Sequence, residues 1–268
     1  MLMQNASPML AIGAVAGEKL IGLGLFRSLA RGQVAHALSV VVDPIHRKLG
    51  IGRAIMAHGW RLLQERGCLR LNAEFLSDID SAEGAGRIRF LEACGFQPFE
   101  QGIHVRTGPF TALLDQSWLQ LQLPPAFSVD PWTSLTAGER RYLEQSKGVE
   151  YEETFSPFVD EDTLDRERSV LLRYKGTPIG WNLLEPINET TMLGRTMCVF
   201  IRHRKLARGV GLFAESIRRL MAEGAYANGM FFVSHENEPM RAFMERHFDS
   251  PQLRKQVLWR SHQTIARG

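Results

Sequence analysis

Short apolar runs broken by turn residues set the pattern of the first third of the chain. Residues 9–15 and 20–26 are apolar and are parted by Ala16-Gly17-Glu18-Lys19, which predicts a β-hairpin. A third strand is expected over Gln33 to Val42. The period then becomes helical: Ile51, Ile55, Leu62 and Leu63 share one face of a helix over Gly52 to Arg66, and Gly67 stands where a C-cap belongs. Cys68 to Phe75 reads as a strand and Gly86 to Ala93 as a short helix. Gly95-Phe96 reads as a turn into a strand near residues 102–107. Residues 109–127 hold Pro109, Pro124 and Pro125 and show no sustained period beyond a short helix around Leu113 to Leu121. They predict a linker between a domain over 1–108 and one over 128–268.

The second half runs through a similar series. Ser128 to Trp132 reads as a strand. Thr136 to Gln145 reads as a helix with Thr136 and Glu139 at capping-box spacing. The acidic stretch Glu150 to Glu167 is expected to cover a surface. Strands follow at 168–174, 179–185 and Met192 to Ile201. A helix over Gly211 to Glu223 comes next, then a strand over Gly229 to Ser234 and a helix over Pro239 to His247. Aligning Gly209 on Gly50, 159 residues apart, superimposes two strand-loop-helix segments and points to a tandem duplication.

Composition narrows the class. The 268 residues carry 32 basic and 29 acidic side chains, a net charge of +3 too balanced to imply nucleic-acid or membrane binding. Charged residues interrupt the N-terminal apolar stretches, so no signal peptide or membrane span is expected. The three cysteines, Cys68, Cys94 and Cys198, are scattered without a CxxC, which suits reduced thiols in a cytoplasmic protein. The eight histidines have no ligand spacing with Cys or Asp, so no metal is expected.

The chemistry concentrates in Leu38-Ser39-Val40-Val41-Val42-Asp43-Pro44-Ile45-His46-Arg47-Lys48-Leu49-Gly50-Ile51-Gly52-Arg53. A strand that enters Arg-x-x-Gly-x-Gly and then a helix presents uncapped N–H groups and the positive end of a helix dipole to an anion. Glycine lets the backbone approach closely. A dinucleotide fingerprint would need a third glycine where Ile55 stands, and a Walker loop would need Gly-Lys-Ser/Thr.

This run resembles the GNAT superfamily of acyl-CoA-dependent N-acetyltransferases, whose pattern is an apolar strand, V-x-P, then [R/Q]-x-x-G-x-[G/A]. Arg89-Phe90-Leu91-Glu92-Ala93-Cys94-Gly95-Phe96 is similar to the superfamily's next helix and Gly-Phe turn. The resemblance implies an α/β fold with a mixed sheet: two tandem GNAT-like domains, the first lacking its opening strand and helices. It implies acetyl-CoA or another acyl-CoA as co-substrate, with an amine acceptor as partner and the chain a monomer or homodimer. By the same resemblance the cofactor lies against Val40, Val41, Val42, Arg47, Lys48, Leu49, Gly50, Ile51, Gly52 and Arg53 in the first half. In the second half it lies against Val199, Phe200, Ile201, Ala207, Arg208, Gly209, Val210, Gly211 and Asn237. There Leu206 stands at the leading Arg/Gln position, which implies a weaker loop.

Many members use a Tyr as general acid; Leu91 and Met244 stand at the matching positions and donate no proton. Glu74, Glu185, His235 and His36 are the candidate catalytic side chains by strand position. The implied activity is transfer of an acetyl group to a primary amine by direct attack. The alternatives are a non-catalytic acyl-CoA-binding scaffold and a related acyl reaction, such as decarboxylation or transfer from a carrier protein.

Overall fold

The computed structural model describes residues 9–28, 33–79, 81–97, 100–204 and 208–264. The chain forms β1 (Met9–Ala16), β2 (Lys19–Ser28), β3 (Val34–Val42), α1 (Ile51–Glu65), β4 (Arg70–Asp78), α2 (Ala82–Ala93) and β5 (Glu100–Pro109). It continues as β6 (Phe127–Pro131), α3 (Ala137–Ser146), β7 (Val170–Tyr174), β8 (Thr177–Asn188), β9 (Thr191–Val199), α4 (Arg208–Glu223), β10 (Asn228–Ser234), α5 (Glu238–His247) and β11 (Arg254–Thr264). The order β-β-β-α-β-α-β thus occurs twice. The second run is preceded by β6 and α3, which have no counterpart before β1 among the described residues. No helix among them is long and apolar enough to cross a membrane.

The chain divides into two compact units, one of residues up to His104 with Gln256 onward, the other Val105 to Lys255. It passes from the first unit to the second within β5 and returns within β11. The strand β11, which the sequence pattern did not reveal, therefore belongs with the first unit. It pairs antiparallel with β4 from Gln256↔Asp78 to Thr264↔Arg70. Residues 109–127 hold two 3-10 turns, Phe110–Leu113 and Ser117–Gln120, in place of the short helix expected there. Their Phe110, Leu113, Trp118 and Leu119 are buried in the core of the second unit.

In the first unit the strand order is β1-β2-β3-β4-β11. β1, β2 and β3 are antiparallel and β3 runs parallel to β4. One sheet face packs on α1 through Phe26, Ala35, Ile55, Met56, Trp60 and Leu63. Glycine makes the helix fit: a Cβ at Gly59 would stand 2.5 Å from the Phe26 ring. Gly59→Ala is therefore expected to cost about 1–3 kcal/mol by overpacking. Gly86→Ala in α2, where a Cβ meets nothing within 4 Å, is expected to be neutral or stabilising. Urea unfolding of both variants checks the pair.

In the second unit β10-β9-β8-β7-β6 follow one another, with β9 and β10 parallel and the rest antiparallel. Trp181 is fully buried against Tyr151, at a ring distance of 4.8 Å, and Phe200, at 6.3 Å. Trp132, Leu143 and Leu164 close this core from the segment between β6 and β7. The predicted capping box is present: Thr136 Oγ1 accepts from Glu139 N at 3.2 Å and Thr136 N donates to Glu139 Oε2 at 2.9 Å.

Candidate functional site

The first loop is built by local hydrogen bonding. Asp43 Oδ1 accepts from Ile45 N at 3.2 Å and caps the 3-10 turn Pro44–His46. That N–H, with Lys19 nearby, holds the Asp43 carboxyl below its ordinary range. Arg47 Nε donates to the Val42 carbonyl at 3.0 Å, folding the side chain back onto the end of β3. Lys48 and Gly50 adopt φ of 63° and 84°, turning the chain into α1. The first helical bond is Ala54 N to Gly50 O, so the N–H groups of Ile51, Gly52 and Arg53 precede it. A Cβ at Gly52 would press to 3.1 Å from the Phe90 ring. Among the described residues no ion pair engages Lys48 or Arg53, which leaves both cations for an anion at the helix start.

The second loop repeats this design in a register the glycine alignment missed. β3 ends at Val42 and β9 at Val199, and the 3-10 turn Pro44–His46 corresponds to Ile201–His203. Arg204 Nε donates to the Val199 carbonyl at 2.9 Å, as Arg47 does to Val42. The separation is 157 residues, not 159. His46-Arg47-Lys48-Leu49 then falls on the identical His203-Arg204-Lys205-Leu206, Gly50 on Ala207 and Gly52 on Gly209. The leading cation of the second loop is thus Arg204, and the expectation that Leu206 replaces it is corrected. Lys205, Leu206 and Ala207 lie outside the described residues.

The remaining sequence-selected positions divide. Arg208 opens α4 and lies 4.6 Å over the Phe127 ring, and a Cβ at Gly209 would have 4.0 Å to its nearest neighbours. Val210 follows in the first turn of α4. Val199 and Phe200 are buried in the core, and Ile201 lies in the 3-10 turn, not in the strand. Gly211 serves packing, since a Cβ there would stand 2.9 Å from Leu123. Asn237 caps α5, its Oδ1 accepting from Met240 N at 3.3 Å.

Beside each loop the sheet splits. β3 and β4 pair only from Val34↔Arg70 to Ala37↔Ala73, while β3 stays paired with β2 as far as Val42. Leu38 is extruded as a β-bulge between the pairs Leu25↔Ser39 and Phe26↔Ala37. β9 and β10 part after Gly194↔Phe231, and Arg195 is extruded between Leu183↔Thr196 and Leu184↔Gly194. Leu38 and Arg195 are again 157 residues apart. Each split leaves one strand edge, Ser39–Val42 or Thr196–Val199, without a β partner and leading to its loop. A bulge also frees backbone polar groups at the head of the split.

Candidate catalytic side chains fall differently around the splits. Glu74 is the first β4 residue beyond the split in the first unit and lies 3.6 Å from Arg260 Nε. His36 sits below the split, in register with Arg27 and Asn72. Glu185 follows the bulge on β8, with Oε2 3.4 Å from Arg195 Nη1. His235 leaves β10 with its ring nitrogens 3.1 and 3.4 Å from Arg241 Nη1. Leu91 and Met244 are core residues. The three cysteines are free thiols, and burial pushes Cys94 and Cys198 up to about 11. Such thiols stay protonated and make poor nucleophiles. Burial likewise pushes Tyr151 up to about 12, and its hydroxyl donates to the Leu143 carbonyl at 2.8 Å. Among the described residues no group of three or more His, Cys, Asp or Glu could hold a metal ion.

A split parallel pair with a bulge at its head occurs in each unit, and the fold is the GNAT fold. Residues 2–96 match the model of the acetyltransferase (GNAT) family. No curated protein matches the chain. A tandem GNAT protein from the clavulanic acid biosynthesis pathway superimposes with a TM-score of 0.65 at 19% identity, over 96% of this chain and 84% of its own. A GCN5-related glucosamine N-acetyltransferase region of a fungal multi-domain GH3 β-N-acetylglucosaminidase gives 0.66 at 14% identity, over 97% of this chain and 33% of its own. A GCN5-related N-acetyltransferase from Sphaerobacter thermophilus gives 0.58 at 15%, over 95% and 81%. At these identities the likenesses establish the fold.

Proposed function

We propose that the chain is an acyl-CoA-dependent N-acyltransferase that moves an acetyl group from acetyl-CoA to a primary amine of a small molecule or peptide. The observation that carries this reading is the open strand edge that ends in a loop of free N–H groups. A pyrophosphate at the start of α1 or α4 meets those N–H groups and the dipole. The amides of a pantetheine arm pair with Ser39–Val42 or Thr196–Val199 as an added strand would. From Val199 to Arg195 the strand spans about 13 Å at ~3.3 Å per residue, so an extended arm brings its thioester to the bulge. A backbone N–H freed there polarises the carbonyl. The amine nitrogen attacks the carbonyl carbon, the C–S bond breaks, and CoA leaves as thiolate while the amine gives up a proton.

Glu185 is the side chain we assign to receive that proton, because it stands at the bulge of the second unit. The buried thiols favour this direct attack over an acyl-enzyme. With no Tyr at Leu91 or Met244 the thiolate takes its proton from solvent, which a thiol of ordinary pKa near ~8.5 tolerates.

The acceptor belongs to the second unit in this reading. There β6, α3 and residues 132–167 wall the sheet face that carries Trp181 and Leu183. The equivalent face of the first unit leaves Leu23 and Val41, paired across β2 and β3, 36% and 57% exposed. We also place the protein in the cytoplasm, as a monomer or homodimer, without a metal, nucleic-acid or membrane partner.

Thermal shift with acetyl-CoA and CoA release with spermidine, glucosamine and lysine methyl ester test the activity. Saturation at 100 Kd should stabilise by about 2.7 kcal/mol. No shift at millimolar acetyl-CoA overturns the reading. A shift without CoA release from any of the three amines supports the scaffold alternative, which the missing acid favours.

A further inference from the structure

Arg195 is the residue extruded at the head of the second split, where its counterpart Leu38 in the first unit is 46% exposed. Its guanidinium is not free. Nη1 donates to the Asp160 carbonyl at 2.9 Å and to Thr163 Oγ1 at 2.8 Å. Nη2 donates to the Val159 carbonyl at 3.1 Å and to Asp160 Oδ2 at 3.2 Å. Glu185 Oε2 lies 3.4 Å from Nη1 on the neighbouring strand.

This one side chain therefore ties three things together: the bulge of β9, the candidate base on β8, and the loop Val159–Thr163. The loop needs a tie. Asp160 holds φ of 46°, a left-handed conformation that costs a non-glycine residue roughly 1–2 kcal/mol. The adjoining Glu161 is anchored separately, to Arg140 Nη2 at 2.7 Å and Trp132 Nε1 at 3.0 Å. Arg195 is thus the link that carries the loop to the split itself.

We propose that Arg195 is a positioning residue for the acceptor amine: it fixes Val159–Thr163 as the wall beside the thioester and holds the Glu185 carboxylate at the bulge. The proposal rests on the N-acyltransferase reading and on the second unit as the acceptor side. Arg195 meets its partners at the bulge, and the loop end of β9 at Val199 is about 13 Å further along at ~3.3 Å per residue. Its loss should consequently separate the two substrates. The planar fork matters as well as the charge, since an ammonium makes a single-point contact and cannot span two carbonyls, a hydroxyl and two carboxylates.

Steady-state CoA release with acetyl-CoA and each of spermidine, glucosamine and lysine methyl ester tests it in the full chain. Arg195→Ala is expected to raise the KM of the amine that turns over by tenfold or more. The acetyl-CoA KM should stay within twofold. Arg195→Lys should recover only part of the loss. Thr163→Val, which removes one exposed contact and leaves the rest, should raise the amine KM two- to threefold. An unchanged amine KM in Arg195→Ala overturns the proposal, and so does an acetyl-CoA KM that rises in parallel. Should Arg195→Ala fail to fold, an unchanged amine KM in Thr163→Val overturns it. A wild-type chain that releases no CoA fails the N-acyltransferase reading itself and takes this proposal with it, an outcome distinct from an active chain indifferent to Arg195.

Discussion

Gly209→Glu is expected to abolish acetyl transfer, with turnover down at least ~100-fold, about 2.7 kcal/mol of lost transition-state stabilisation. The glycine stands in the first turn of α4, where the proposed pyrophosphate meets the helix N–H groups. A carboxylate there meets two phosphate charges in a site built to neutralise them. The effect is not one of packing, because a Cβ at Gly209 lies 4.0 Å from Met197 and Val199. Gly50→Glu puts the same charge at the first loop and adds the strain of φ 84°. With the acceptor placed in the second unit, as proposed, Gly50→Glu should cost bound acetyl-CoA but not turnover. Calorimetric titration should show two acetyl-CoA per wild-type chain and one in either variant. Loss of turnover in Gly50→Glu with full activity in Gly209→Glu would invert the assignment of the units.

The two-site expectation depends on Arg204, and that residue shows what the sequence could and could not disclose. His46-Arg47-Lys48-Leu49 and His203-Arg204-Lys205-Leu206 are identical and were visible in the primary structure. Anchoring the comparison on the most obvious glycines shifted it by two residues and hid the match. The backbone restores it, because the two arginines bond the carbonyl five residues earlier and the two bulges keep the same spacing. Strand, loop and helix order were legible because apolar period and glycine placement are local signals. The bulges were not: Leu38 and Arg195 share no chemistry, and extrusion arises from pairing with β2 and β8. The contacts of Arg195 with Val159–Thr163 span 32 to 36 residues and follow from tertiary packing alone. Strand β11 escaped notice for a related reason. Gln256 and Ser261 are buried on a strand whose apolar residues are only Val257, Leu258 and Trp259, so no apolar alternation marks it in the sequence.

That same strand makes the two halves of the sequence inseparable as folded pieces. A chain cut within residues 109–127 should not yield a stable first unit from its N-terminal fragment. Without β11, the edge of β4 from Arg70 to Asp78 loses its antiparallel partner. Ser77 loses the donor Trp259 Nε1 at 3.0 Å, and Gln97 N loses the His262 carbonyl at 2.9 Å. An uncovered, largely apolar edge such as Leu71 to Leu76 templates aggregation. The expected result is an insoluble or non-cooperatively unfolding 1–108 fragment. Co-expression with 109–268 should restore a soluble pair, because the second piece supplies β11 in trans. Fusing 254–264 to the fragment through a flexible Gly-Ser linker should rescue folding without the rest of the second unit. Cooperative urea unfolding of 1–108 alone, with the sheet signal in circular dichroism intact, would show that β11 is dispensable to the first unit. The boundary between the units would then lie where the prolines of the linker suggest, and not within β5 and β11.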